Sequence, residues 1–173
     1  RACKAEGIKP IIGCEVYVAP RGRTRFQKAH EFDSESRHLV LLCRNEEGYR
    51  NLSYMVSQAF LEGFYIKPRI DMDLLREHCG GLIACSACLA GELPRLLLAG
   101  EYDQAKAVAL EMQSLFGPDG YYLELQDHGI PSQKQVNAGL RRLHEETGIP
   151  LIATNDAHYL RREDAEMQDI LMC

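Results

Sequence analysis

Residues 121–154, YYLELQDHGIPSQKQVNAGLRRLHEETGIPLIAT, decide the fold class. Tyr121 to Leu125 is a short apolar strand. From about Pro131 to Thr147, Val136, Leu140 and Leu143 recur at helical spacing, Gly148 ends that helix, and Pro150 to Thr154 makes the next strand. Proline just inside the start and glycine just past the end fit the polarity of a helix. Strand, helix, strand in that order is the βα unit from which a parallel sheet or barrel is built.

The same alternation fills the rest of the chain. Ala105, Val108, Ala109, Met112, Leu115 and Phe116 form an amphipathic stripe that GPDG at 117–120 stops. Leu82 to Cys85 is a strand after the Gly80-Gly81 break, and a turn leads from it into residues 90–99. His38 to Cys43 (HLVLLC) is another strand, and Asn45 caps a helix with Tyr49, Leu52, Val56, Ala59 and Phe60 on one face. Phe64 to Ile66 is a brief strand ended by Pro68, with a short helix from Asp71 to His78 after it. Residues 1–6 end a helix at Gly7, Ile11 to Val18 is the first complete strand, 19–37 is a long polar loop, and a last helix starts near Glu163. The class is α/β, with no internal repeat and no domain-breaking linker.

Composition narrows the function classes. Hydrophobic residues at 46% and charged residues at 26% exclude a disordered chain, and no apolar run approaches the roughly 20 residues of a spanning helix. A net charge of -5 argues against a general nucleic-acid coat, so any DNA contact is local. Seven scattered cysteines do not form a secreted disulfide framework, which places the chain in a reducing cytoplasm. It opens RACKAEG, with no initiator methionine or signal region, and closes at Met172-Cys173 inside an expected helix; both ends read as cut.

In α/β barrels the chemistry sits at the carboxyl ends of strands. The strand ending at Thr154 runs into Asn155-Asp156-Ala157-His158, and an Asp-x-His pair on extended backbone points both side chains the same way, toward one cation. The plain alternative is a helix-capping Asp beside a surface His. Cys88 lies in the loop after the strand that ends at Cys85, so it is the better candidate ligand of the two; CSAC without a second CxxC does not make a zinc ribbon, and a small buried thiol pair is the other reading. Glu15 lies in the apolar strand IIGCEVYV, where a carboxylate facing the core costs several kcal/mol unless paired or metal-bound, and costs nothing if it alternates outward. His38 opens its strand, the wrong end of a parallel barrel. With no helix between Val18 and His38, an antiparallel pairing returns it to the exit end of the first strand. Arg21, Arg23, Arg25 and Lys28, interleaved with Phe26, read as a solvated mobile loop or as a guide for a nucleic-acid strand.

GIKPIIGCEVYVAP at 7–20, HLVLLCRNEEGYRNL at 38–52, EGFYIKPRID at 62–71, CLAGELPRLL at 88–97, YLELQDHGIP at 122–131 and IPLIATNDAHYL at 149–160 together resemble the PHP (polymerase and histidinol phosphatase) domain of bacterial DNA polymerase III α subunits. The resemblance spans nearly the whole chain and favours the polymerase branch over the histidinol-phosphatase branch. It implies a partial PHP domain over residues 1–173: a distorted (β/α)7 barrel lacking its first strands, with polymerase palm, fingers and thumb after it. It also implies a metal cluster with nine ligands, of which five match Glu15, His38, Cys88, Asp156 and His158. The family's opening His-x-His and Asp-His-Gly segments, which carry the other four, are not found at the start of this chain. His128 is not among the family's ligands, and Asp127-His128 reads as a loop near the site or a neighbouring domain.

The implied activity is metal-dependent 3′-5′ exonuclease or phosphoesterase chemistry in the intact domain, beside a polymerase reaction whose carboxylates lie elsewhere. Mixed N, O and S ligands suit zinc, with manganese and magnesium as alternatives. The implied partners are DNA and other subunits of the DNA polymerase III holoenzyme, with no membrane. A non-catalytic structural module of the polymerase and a free-standing PHP phosphoesterase are the rival readings.

Overall fold

The computed structural model describes residues 2–172. In chain order the elements are α1 (Ala2–Ala5), β1 (Gly13–Val18), α2 (His30–Asp33), β2 (Arg37–Cys43), α3 (Glu46–Leu61), β3 (Phe64–Tyr65), β4 (Lys67–Ile70), α4 (Met72–His78), β5 (Leu82–Cys85), α5 (Glu92–Leu98), α6 (Tyr102–Phe116), β6 (Tyr121–Leu125), α7 (Pro131–Thr147), β7 (Leu151–Ala153) and α8 (Ala165–Met172), the last preceded by a 3-10 turn at Arg162–Asp164. No helix is long and apolar enough to cross a membrane among the described residues.

The strands form one mixed sheet in the order β3-β4-β1-β2-β5-β6-β7. The βα units are present: β5, β6 and β7 pair in parallel, and so do β1 and β4. β2 is reversed, antiparallel to both β1 and β5. The sheet is therefore mixed rather than wholly parallel, and the start of β2 lies beside the carboxyl ends of its neighbours. That is the pairing expected for a strand reached without a helical crossover.

Side-chain chemistry explains most of the boundaries. Asn45 caps α3 by accepting from the Gly48 amide at 2.9 Å, and Asp71 caps α4 by accepting from the Leu74 amide at 2.9 Å. Pro131 starts α7, and Gly148 ends it in the left-handed conformation at φ 74°. The core gathers Leu41, Met55, Ile70, Leu75, Leu123, Leu140, Leu143 and Ile149, all at 0% exposure, from the strands and the helices packed on them; in β1 and β2 its residues lie on the face opposite Glu15 and His38. Fully burying each such side chain is worth about 1.5–3 kcal/mol.

Several sequence expectations shift. α3 buries Gly48, Leu52, Met55 and Ala59, whereas Tyr49 and Phe60 are exposed; the face is rotated because the helix start packs closely on Gly81. Pro68 sits inside β4 instead of ending a strand. It is tolerated there because the ladder with β1 begins only at Arg69. β1 starts at Gly13, and the polar segment after it contains α2.

Candidate metal centre

Residues from β1, from the start of β2 and from the loop after β5 meet at one point. Glu15 and Tyr17 lie on one face of β1, and Tyr17 is the register partner of His38 in β2, so Glu15 and His38 are diagonal neighbours on that face. The Glu15 carboxylate lies 2.9 Å from His38 Nδ1, and the Cys88 sulfur lies 3.6 Å from the same nitrogen. One ligand atom from each of Glu15, His38 and Cys88 can be chosen so that all three lie within 4.8 Å of one another. Glu15 resolves the choice left open by the sequence: it alternates away from the buried Val16 and Val18, is partly exposed, and meets the imidazole.

The backbone fixes this meeting. The amide of His38 donates to the Ala90 carbonyl at 3.2 Å, and Gly91 donates back to Cys88 at 2.9 Å, so the loop after β5 is folded over the start of β2. Only glycine fits at position 91, where a β-carbon would collide with the Ser86 carbonyl. Ala87, just before Cys88, is a non-glycine residue in the left-handed region at φ 62° and is 2% exposed. Such strain persists only where the surroundings over-determine it.

The electrostatics are those of a site short of positive charge. His38 has its pKa pushed up to about 9, first by its contact with the Cys88 thiol and then by the Glu15 carboxylate, while Glu15 is lowered mainly by its hydrogen bond to His38. A second carboxylate lies behind them. Glu124 of β6 is 6% exposed and, among the described residues, has no ion-pair partner; burial raises its pKa. It accepts from the Ala87 amide at 2.7 Å and from the Thr154 hydroxyl at 2.8 Å. A carboxylate, an imidazole and a thiol within ligand reach, backed by a buried acid without a cation, fit a divalent metal. Such an ion would be held by Glu15, His38 and Cys88.

The chain's family follows from comparison with known proteins. The PHP domain profile matches residues 1–128. This chain belongs to the PHP family. Over its full length it is 49% identical to DNA polymerase III subunit alpha of Treponema pallidum and 47% identical to that of Borreliella burgdorferi, and over 97% of its length it is 46% identical to that of Thermus aquaticus. It spans 15%, 15% and 14% of those three proteins.

Within this PHP chain the Asp156–His158 segment stands apart from the group of Glu15, His38 and Cys88. Thr154 follows β7, but the backbone then turns: Asp156 adopts φ 46°, and His158 Nδ1 lies 2.8 Å from the Asp156 carbonyl oxygen. The extended Asp-x-His expected from the sequence is therefore not formed, because a left-handed residue replaces extended backbone at its first position. Asp156 is half-buried and His158 exposed.

His128 has a definite role in this turn. Its backbone amide donates to Gln133 Oε1 at 2.8 Å, which directs Gln133 Nε2 to His128 Nδ1 at 2.9 Å. The remaining proton must lie on Nε2, which donates to the Asn155 carbonyl at 2.7 Å. His128 is thus a tether for the loop carrying Asp156.

The arginines of the basic segment have carboxylate partners within the chain. Arg21 pairs with Glu92 and Glu111, Arg23 with Asp33, and Arg25 with Glu62 and Asp71; only Lys28 of the four basic residues has no such partner among the described residues. A groove of about 700 Å³ is lined in part by Arg21, Arg37, Arg95, Glu92 and Glu111. Its arginines already have carboxylate partners, so it is not an anion trap. The residue missed by sequence reasoning was Glu124. The signal existed in YYLEL: an acid in an apolar strand, the same reason that singled out Glu15.

Proposed function

We propose that this PHP region, which matches segments of DNA polymerase III α subunits, forms a divalent-metal site that hydrolyses DNA phosphodiesters from the 3′ end in the intact domain. The observation that carries the reading is the convergence of Glu15, His38 and Cys88 at one strand-exit point over a buried, uncompensated Glu124. The full ligand set we assign is Glu15, His38, Cys88, Asp156 and His158. The last two lie on the adjoining exit loop, and His158 and Asp156 are close enough to influence the charge of Glu15 and Glu124 respectively. Zinc is the favoured ion for mixed N, O and S donors, with manganese or magnesium as substitutes.

A bound divalent ion supplies Lewis acidity and charge neutralisation for phosphodiester hydrolysis. The chain's residues supply the rest. Glu15, His38 and Cys88 would hold the ion from the strands and a pinned loop. The Glu15 and Cys88 contacts orient the His38 ring, whose nitrogen would have to be free of its proton to serve as a ligand. His128 and Gln133 hold the Asp156 loop at the mouth. We further propose that the open sheet closes into a (β/α)7 barrel in the intact domain, that polymerase domains follow this one, and that its setting is cytoplasmic with DNA and DNA polymerase III holoenzyme subunits as partners.

The test is a paired assay on the intact protein. Asp156→Asn combined with His158→Ala is expected to abolish metal-dependent release of nucleotides from a 3′ end while template-directed extension continues. Loss of both activities together with thermal stability would make the metal structural and sink the catalytic reading.

A further inference from the structure

We infer that Glu124 is a positioning residue that locks together the two loops carrying the proposed ligands, one ending β5 and one ending β7. The inference rests on the metal-site reading above and adds a residue to it. The two loops share an unusual feature. Each contains a non-glycine residue in the left-handed region: Ala87 at φ 62°, immediately before Cys88, and Asp156 at φ 46°. Left alone, such residues relax toward ordinary backbone, so something must hold them. Glu124 lies on β6, the strand between β5 and β7, and one carboxylate reaches both sides.

Its Oε2 accepts from the amide of Ala87 itself at 2.7 Å, and its Oε1 accepts from the Thr154 hydroxyl at 2.8 Å, two residues before Asp156. The Glu124 backbone is tied in as well, donating to Ser86 Oγ at 2.8 Å from the residue before Ala87. Thr154 in turn receives Gln126 Nε2 at 3.2 Å, and the Gln126 carbonyl receives Asn137 Nδ2 at 2.9 Å, which anchors the bracket to α7. With Ser86 and Glu124 both buried, these contacts are shielded from competing water. A shift of Glu124 therefore moves Cys88 and Asp156 together. Residues that orient metal ligands in this way commonly set affinity by about 10–100-fold.

The test compares Glu124→Ala with Glu124→Gln in the intact protein, loaded with cobalt(II). Glutamine keeps an oxygen for the Ala87 amide, whereas alanine keeps nothing. Glu124→Ala is expected to weaken cobalt binding by about 10–100-fold and to diminish the thiolate-to-cobalt absorption that reports Cys88. Glu124→Gln is expected to stay near wild type in both. In metal-free protein, hydrogen exchange in peptides covering 86–91 and 153–158 should accelerate together in Glu124→Ala, with α7 peptides unchanged as the folding control.

Unaltered cobalt affinity and absorption in Glu124→Ala would overturn the inference. So would an equal loss in Glu124→Gln, which would make charge, not positioning, the contribution. If wild-type protein takes up no cobalt while the exchange signature persists, the metal reading falls and the bracket stands.

Discussion

Two polar regions of this molecule treat charge in opposite ways. The strap between β1 and β2 is closed on itself. Asp33, fully buried, receives both arms of Arg23 at 2.8 and 2.6 Å and the Ala29 amide at 2.7 Å. Arg69, also fully buried, donates to the carbonyls of Gly63, Asp33, Arg25 and Gln27. The exit end of the sheet is built differently: Glu15 and Cys88 meet the His38 imidazole, while Glu124 is buried without an ion-pair partner among the described residues. Compensated charge staples a loop, whereas the unpaired acid beside strained backbone is what the proposed metal site rests on.

That contrast can be broken by substitution. Arg69→Met should have the largest effect on stability, about 3–5 kcal/mol, because four carbonyls lose their donor in a dry site. Denaturant unfolding of the intact protein, followed by exchange in the strap, should show the loss, with metal binding by the folded fraction unchanged. A loss no greater than that of a surface substitution would mean that the strap is not held by Arg69. Cys88→Ser and Glu15→Gln should do the reverse. Metal affinity should fall by at least about tenfold in competition with a chelator, while metal-free stability moves by about 1 kcal/mol or less, since the Glu15–His38 pair is partly exposed.

pH separates the regions further. The carboxyl of Asp33 is held down to about 2 by Arg23 and the Ala29 amide. It therefore adds stability above its ordinary range near 3.9, and that contribution disappears as pH falls toward about 2. Asp33→Asn should flatten the acid limb of a stability profile. His38 has the opposite sign. Raised to about 9, it stabilises metal-free protein fully below about 6.5, and that stability is lost as pH rises through about 9. A metal must displace the same proton, so metal affinity should climb about tenfold per pH unit below about 9. A pH-independent affinity would contradict ligation by His38. The smallest effect belongs to Arg50→Ala: its pair with Glu46 is exposed on both sides, and the change should be about 0.5 kcal/mol or less.

The sequence carried the helices and strands well where a local signal was strong. Asn45, Asp71, Pro131 and Gly148 mark their elements through caps that involve only nearby residues. The antiparallel return of His38 was also legible, because the missing crossover helix constrains strand direction. What escaped was long-range. Arg69 finds carbonyls up to 44 residues away, and nothing in IKPRID announces it. The rotation of α3 depends on contact with Gly81, and the turn at Asp156 depends on a tether from His128. Glu15, His38 and Cys88 were named from the chain and are brought together; Asp156 and His158 were named on an extended geometry that the loop does not adopt.

The most direct test of the central claim is anomalous diffraction at a metal absorption edge from crystals of the intact protein soaked in zinc or manganese. The account predicts a peak within about 2.0–2.3 Å of a Glu15 oxygen, a His38 ring nitrogen and the Cys88 sulfur. A metal bound elsewhere, with His38 still bridging Glu15 and Cys88, would contradict it.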